Sequence, residues 1–250
     1  LTTAVGWVIV TGATISLASI LFPAPTRYVV FYLGILFDLV AFIFFLPRRL
    51  QVVPVHTEHL IERVGLLTII MLGESVISLS TGLANISWTV ERLLTAATGF
   101  VMISSIWWVY FNSFHLLTEQ KLTTGHSVLY SHLFVFIGLS ILANLIRHAI
   151  LDDMVVSDFR VLSVIGAVCF FIGKQYGYFM ERPELRFQLV VNTLVVFVLT
   201  GFALLLSRTG YILLGLTAAV ICYAFLGLKY LNVPVRHDPP RVSAITEDQP

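Results

Sequence analysis

Glu74 lies deep inside a long apolar stretch, His59-Leu-Ile-Glu62-Arg63-Val-Gly65-Leu-Leu-Thr-Ile-Ile-Met-Leu-Gly73-Glu74-Ser75. An ionisable group in such surroundings is disfavoured by roughly 2.5 to 3.5 kcal/mol on insertion scales, so it is kept where it binds a proton, a cation or a partner charge. At 100 degrees per residue His59, Arg63, Ile70 and Glu74 fall within about 60 degrees of one another on a helix, with Ser78 extending the stripe. Glu62 stands about 100 degrees from Arg63, so charge appears on two faces near that end. Asp38, in Leu36-Phe37-Asp38-Leu39, lies about 12 Å from the end of the preceding apolar stretch by helix rise, within reach of the long Arg63 side chain. The expected buried polar network is therefore Asp38, His59, Glu62, Arg63 and Glu74, sheltered from lipid by neighbouring helices.

Secondary contributors stand further along, at Asn112, His115, His132 and Lys174. Trp107, Trp108 and Tyr110 suit an aromatic belt at a membrane interface, and His115 and His132 near that level suit ordinary hydrogen bonding. Lys174 falls in Gly173-Lys174-Gln175-Tyr176-Gly177, whose glycines, with Gly166, form a small-residue face for close helix packing. Its stem is long enough for the ammonium to snorkel to the membrane surface.

Metal and enzyme chemistry find little support. His56, His59 and Glu62 are the one set with ligand spacing, since residues three apart share a helix face. They lack the His-Glu-x-x-His order, Pro54 disturbs the helix start, and Glu58 and Glu62 suit the positive end of a helix dipole, so no metal is expected. Gly73-Glu-Ser75-Val-Ile77 lacks the closing glycine of a nucleophile elbow, and no phosphate loop or dinucleotide fingerprint occurs. The two cysteines, Cys169 and Cys222, each lie within apolar sequence and suit packing. Neither an enzyme nor a cofactor is expected. A net charge of +1 with scattered basic residues argues against nucleic acid.

The elements that must position these groups are transmembrane helices. Hydrophobic residues make up 58% of the chain and charged residues 12%, with mean hydropathy +0.92, whereas soluble domains are about a quarter charged. Apolar blocks fall near 1–22, 27–46, 59–83, 92–115, 127–150, 159–180, 187–206 and 210–230, each about the twenty residues that span a bilayer. Continuous apolarity without a period of two excludes a barrel, so the fold class is an all-α polytopic transmembrane bundle of about eight spans. Turn chemistry separates the blocks, as at Pro23-Ala-Pro25, Pro47-Arg-Arg49, Asp152-Asp153 and Arg182-Pro183. Alternate loops and the tail carry eight Lys and Arg against five on the other side, which orients residues 232–250 as a polar, disordered cytoplasmic tail of an inner-membrane protein.

The segment His59-Leu-x-Glu62-Arg63-x-Gly65-Leu with Ile69-Ile-x-Leu72-Gly73-Glu74-Ser75 resembles the signature of the bacterial low temperature requirement A family, LtrA. Asp38 on the helix before, Trp107-Trp-Val-Tyr110-Phe111 and Tyr130-Ser-His132 extend the likeness over about Phe31 to His148. The resemblance implies a multi-pass membrane protein linked to growth at low temperature, with further N-terminal spans expected before Leu1. Asn112 stands where that family often has an acidic residue. The expected partners are the lipid bilayer and an ion or small solute, and oligomerisation is compatible with both. The function expected is that of a transporter or permease using the Asp/Arg/Glu network. The alternative is a structural or sensory protein whose buried ion pairs fix helix packing.

Overall fold

A computed structural model describes residues 2–44, 56–84, 86–113 and 126–231. Eight α-helices occur among them, and no strand. They are α1 (Thr2–Ala18), α2 (Thr26–Phe44), α3 (Thr57–Leu83), α4 (Val90–Asn112), α5 (His126–Leu151), α6 (Val156–Glu181), α7 (Arg186–Ala203) and α8 (Thr209–Leu231). Single 3-10 turns at Ser19–Leu21 and Pro183–Leu185 follow α1 and α6. The helices coincide with the eight apolar blocks to within a few residues. From α3 onward all six are long and apolar enough to cross a membrane, and Val5–Leu21 forms a shorter apolar helix. Pro47 to Arg49, Lys121 and the tail lie outside the described residues.

Local chemistry sets several helix ends. Thr89 precedes α4 in extended conformation and its hydroxyl accepts the Arg92 N–H at 3.3 Å, satisfying one of the unpaired donors of the first turn. Glu58, Glu91 and Asp158 occupy the first turns of α3, α4 and α6, where a carboxylate suits the helix dipole. α5 ends at Asp152, whose φ of 53° is the left-handed turn that stops a helix.

Helices α3 to α8 form the bundle. α5 packs most extensively on α6 and then on α3, while α8 packs on both α7 and α4. α1 and α2 pack mainly on each other. Between helices in lipid the hydrophobic effect supplies no net drive, so close backbone approach and dispersion decide which faces meet. The α5–α6 contact uses glycine on both sides: a Cβ on Gly138 would lie 2.5 Å from the Phe170 nitrogen, and one on Gly173 would lie 2.7 Å from the Ser131 carbonyl oxygen. Gly166 presses similarly on Ile141, so the small-residue face expected around Lys174 is the face α6 turns to α5. Around this seam Met102, Leu139, Leu145, Ile146, Phe159, Phe170 and Ile212 are fully buried.

α3 meets the bundle through Ile61, Val64, Gly65, Thr68, Leu72 and Ser75, a stripe of three- and four-residue spacing, with Thr68 and Ser75 bonded back to the Val64 and Met71 carbonyls. That choice of face turns Arg63, Leu66, Ile70, Glu74 and Ile77 outward.

Gly138→Ala should lower stability by about 1 to 3 kcal/mol, because the added methyl meets backbone and the helices must separate. Gly73→Ala, with open space around its Cα, should leave stability unchanged or raise it by up to about 1 kcal/mol. Thermal unfolding of both variants in detergent measures the contrast.

Candidate functional site

The most enclosed polar cluster lies where α4 ends, α5 begins and α6 and α8 approach their ends. The groups come at one-turn spacing: Tyr110 on α4 and Ser113 just after it, the Val128 carbonyl and the His132 ring on α5, and Lys174 and Tyr178 on α6. Lys174 is buried, and its Nζ donates to Ser113 Oγ at 2.6 Å. The ammonium also stands over the Tyr178 ring, 4.8 Å from its centroid. Tyr178 donates its hydroxyl to the Ser113 carbonyl at 2.9 Å, and Ser113 Oγ donates back to the Val109 carbonyl at 3.0 Å. No carboxylate pairs with Lys174 among the described residues. The amine faces the C-terminal end of α4, the negative end of that helix dipole, together with the Ser113 hydroxyl and the Tyr178 ring, all of which favour a positive charge.

Two small cavities share Lys174 as a wall. One, of about 20 Å³, is bounded also by Trp108, Asn112, Ser113 and Tyr223; the other, of about 10 Å³, by Tyr110, Ser131, His132 and Tyr178. These volumes are on the scale of a single water. Tyr110 and His132 are joined beside the second cavity, hydroxyl to Nε2 at 2.7 Å, and His132 Nδ1 meets the Val128 carbonyl at 2.6 Å. With Nδ1 facing a carbonyl, that nitrogen is the donor, so Nε2 accepts the Tyr110 hydroxyl in the neutral imidazole. The arrangement supplies a fixed amine, a tyrosine–histidine hydrogen bond and room for a water-sized guest.

Of the groups read from the sequence, Asn112, His132 and Lys174 converge here, and His115 lies outside the described residues. Lys174 does not snorkel: Gly173 and Gly177 let α6 lie close to α5, so its ammonium is enclosed before it reaches the surface. Trp107 and Trp108 are exposed as a belt requires, but Tyr110 is buried in the cluster. Ser113 and Tyr178 join the site beyond the residues expected from the sequence. Their signals were present, since Tyr178 stands one turn beyond Lys174 and Ser113 follows Asn112, but nothing in one sequence brings residue 113 to residue 174.

The network of Asp38, His59, Glu62, Arg63 and Glu74 is not assembled by the described contacts. Asp38 is half-buried on α2 against Gly12 of α1, and its Oδ1 has no hydrogen-bond partner. His59 and Glu62 face each other at 3.6 Å on the surface of α3, and Arg63 and Glu74 are exposed on the same helix. The expectation that neighbouring helices shelter Glu74 is corrected here, for the physical reason that α3 spends its small and β-branched stripe on α5 and leaves the charged stripe outside. His56 is exposed just before α3, its ring 5.9 Å from that of His59, and among the described residues no three His, Cys, Asp or Glu side chains gather as a metal site.

Ser113→Ala should lower stability by about 1 to 3 kcal/mol, because it removes the acceptor of a buried ammonium. Lys174→Met in that background should restore most of the loss, since an apolar side chain of similar length needs no partner. Glu74→Gln should leave stability unchanged or raise it, since the carboxylate is exposed within a membrane span. Thermal unfolding of the three variants in one detergent decides these.

A family model for the bacterial low temperature requirement A protein (LtrA) matches residues 1–225. No curated protein and no solved structure matches the chain. With nine-tenths of its length matched, and eight apolar helices in the order the motifs suggested, this multi-pass membrane protein belongs to the LtrA family.

Proposed function

We propose that the chain is a permease-like membrane protein for a small anion, with Lys174 as the binding charge, not an enzyme. The observation that carries this reading is a buried lysine amine with no carboxylate partner among the described residues, placed between two water-sized cavities, where an arriving anion would favour its protonated form. A fixed cation at such depth attracts an anion strongly, because the surrounding dielectric is low and solvent competes little. Asn112 and the Tyr110–His132 relay flank it with hydrogen-bonding groups, the second suited to moving a proton with the anion. The distribution of Lys and Arg over the loops supports an orientation with this end towards the cytoplasm of an inner membrane.

A structural role is the second reading, favoured by the small size of both cavities and by the completed bonds around Ser113. In that case the cluster holds α4 against α6 and carries nothing.

Reconstituted vesicles loaded with chloride, nitrate or formate separate the two. The wild type should release at least one of these anions, Lys174→Met should abolish the flux, Lys174→Arg should retain part of it and Glu74→Gln should leave it unchanged. Absence of flux for all three anions in the wild type, or undiminished flux in Lys174→Met, rejects transport through this centre.

A further inference from the structure

A large cavity lies at the opposite end of the bundle, in a groove of about 670 Å³ between α4 and α8, within the range of small-molecule sites. Its walls include Leu94, Ala97, Val101, Leu214, Ala218 and Ile221. The threonine hydroxyls among its lining residues are spent on their own helices: Thr95 donates to the Glu91 carbonyl, Thr98 to Leu94 and Thr217 to Leu213. The groove therefore presents hydrocarbon to whatever fills it. From Val90 to Val101 on α4, and from Gly210 to Ile221 on α8, the lining spans about 16 Å of helix rise. That is half of a hydrocarbon core of roughly 30 Å, the depth of one leaflet.

The mouth is charged. A polar recess of about 270 Å³ shares Glu91, Thr95, Arg208 and Gly210 with the groove and adds Arg92 and Asp152. Arg208 uses one nitrogen on Glu91, at 2.8 Å, and Arg92 uses Nη1 on Ser87, at 2.7 Å to the hydroxyl and 3.0 Å to the carbonyl. Each guanidinium has five N–H donors, so both keep donors for a phosphate. Trp88 and Tyr211, both exposed, stand at this level as interfacial aromatics do. Two guanidiniums and two carboxylates balance, which matches a zwitterionic head better than one with net negative charge.

We propose that the α4–α8 groove holds one acyl chain of a phosphatidylethanolamine, whose phosphate is bound by Arg92 and Arg208 and whose ammonium faces Glu91 and Asp152. The occupant is a lipid because the apolar wall ends one leaflet deep and because charge is concentrated at the mouth alone. A bound chain there ties α4 to α8 along the outer side of the bundle.

The test uses the purified full chain in detergent, titrated with equimolar phosphatidylethanolamine and phosphatidylglycerol and observed by native mass spectrometry. Phosphatidylethanolamine should be retained about tenfold better, a difference equivalent to 1.4 kcal/mol. Ala97→Trp, at an exposed position where the ring fills the groove without entering the core, should remove the adduct. A double variant, Arg92→Gln with Arg208→Gln, should weaken retention about tenfold while the chain stays folded, because the Arg208–Glu91 pair is exposed and contributes little to stability and the Arg92 side chain bonds only the neighbouring Ser87 among the described residues. Equal retention of both lipids, an adduct that persists in Ala97→Trp, or conversion of a dimer into a monomer by that variant would each overturn the proposal, the last by showing that a second copy fills the groove.

Discussion

The close contact of α5 with α6 is the constraint on which the rest of this structure depends. In lipid, helices gain nothing from excluding hydrocarbon from hydrocarbon, so two helices stay together where their backbones approach and their surfaces interlock. Gly138 receives Phe170 and Gly173 receives Ser131 and Val135, and this mutual fit sets both the separation and the rotation of the pair. The rotation turns Lys174, next to Gly173, inward towards the end of α4 and brings Tyr178 to Ser113. With bulkier residues at those positions the same Lys174 stem would reach the membrane surface.

Charge is handled in two contrasting ways. Lys174 is enclosed and is compensated by dipoles: a hydroxyl, an aromatic face and the carbonyl end of α4. Such surroundings favour a positive charge without supplying a counter-ion, unlike a carboxylate partner. Arg63 and Glu74 stand on the outer face of α3. A carboxylate there is disfavoured wherever acyl chains are its surroundings, so the same motif that marks the family is also the least comfortable surface of the described bundle.

The two ends of the bundle differ in character. At one end polar groups are collected inside, between α4, α5 and α6, around cavities the size of a water. At the other, charged groups are collected at the surface around an apolar groove one leaflet deep. α4 contributes to both, with Glu91 and Arg92 at its start and Tyr110 at its finish. A ligand at either end therefore bears on the same helix, and α8, which lines the groove and carries Tyr223 to the cluster, is the second element common to both.

The sequence by itself determined that lipid is the solvent, that the chain crosses it as helices, and where each helix begins and ends, because these follow from local composition, from the length needed to span hydrocarbon and from turn residues such as Pro23, Asp152 and Pro183. It also marked the glycines beside Lys174 as a packing face, since small residues act through their own size. Tertiary structure alone decided which face of each helix is inside. A helical wheel ranks the Arg63–Glu74 stripe of α3 as the polar side but not whether protein or lipid meets it, and the neighbouring stripe of Val64, Thr68, Leu72 and Ser75 took the contact. The partnership of Ser113 with Lys174 likewise joins residues 61 positions apart, a distance over which helix periodicity carries no information, and it exists because the fit of α6 against α5 fixes where one amine ends.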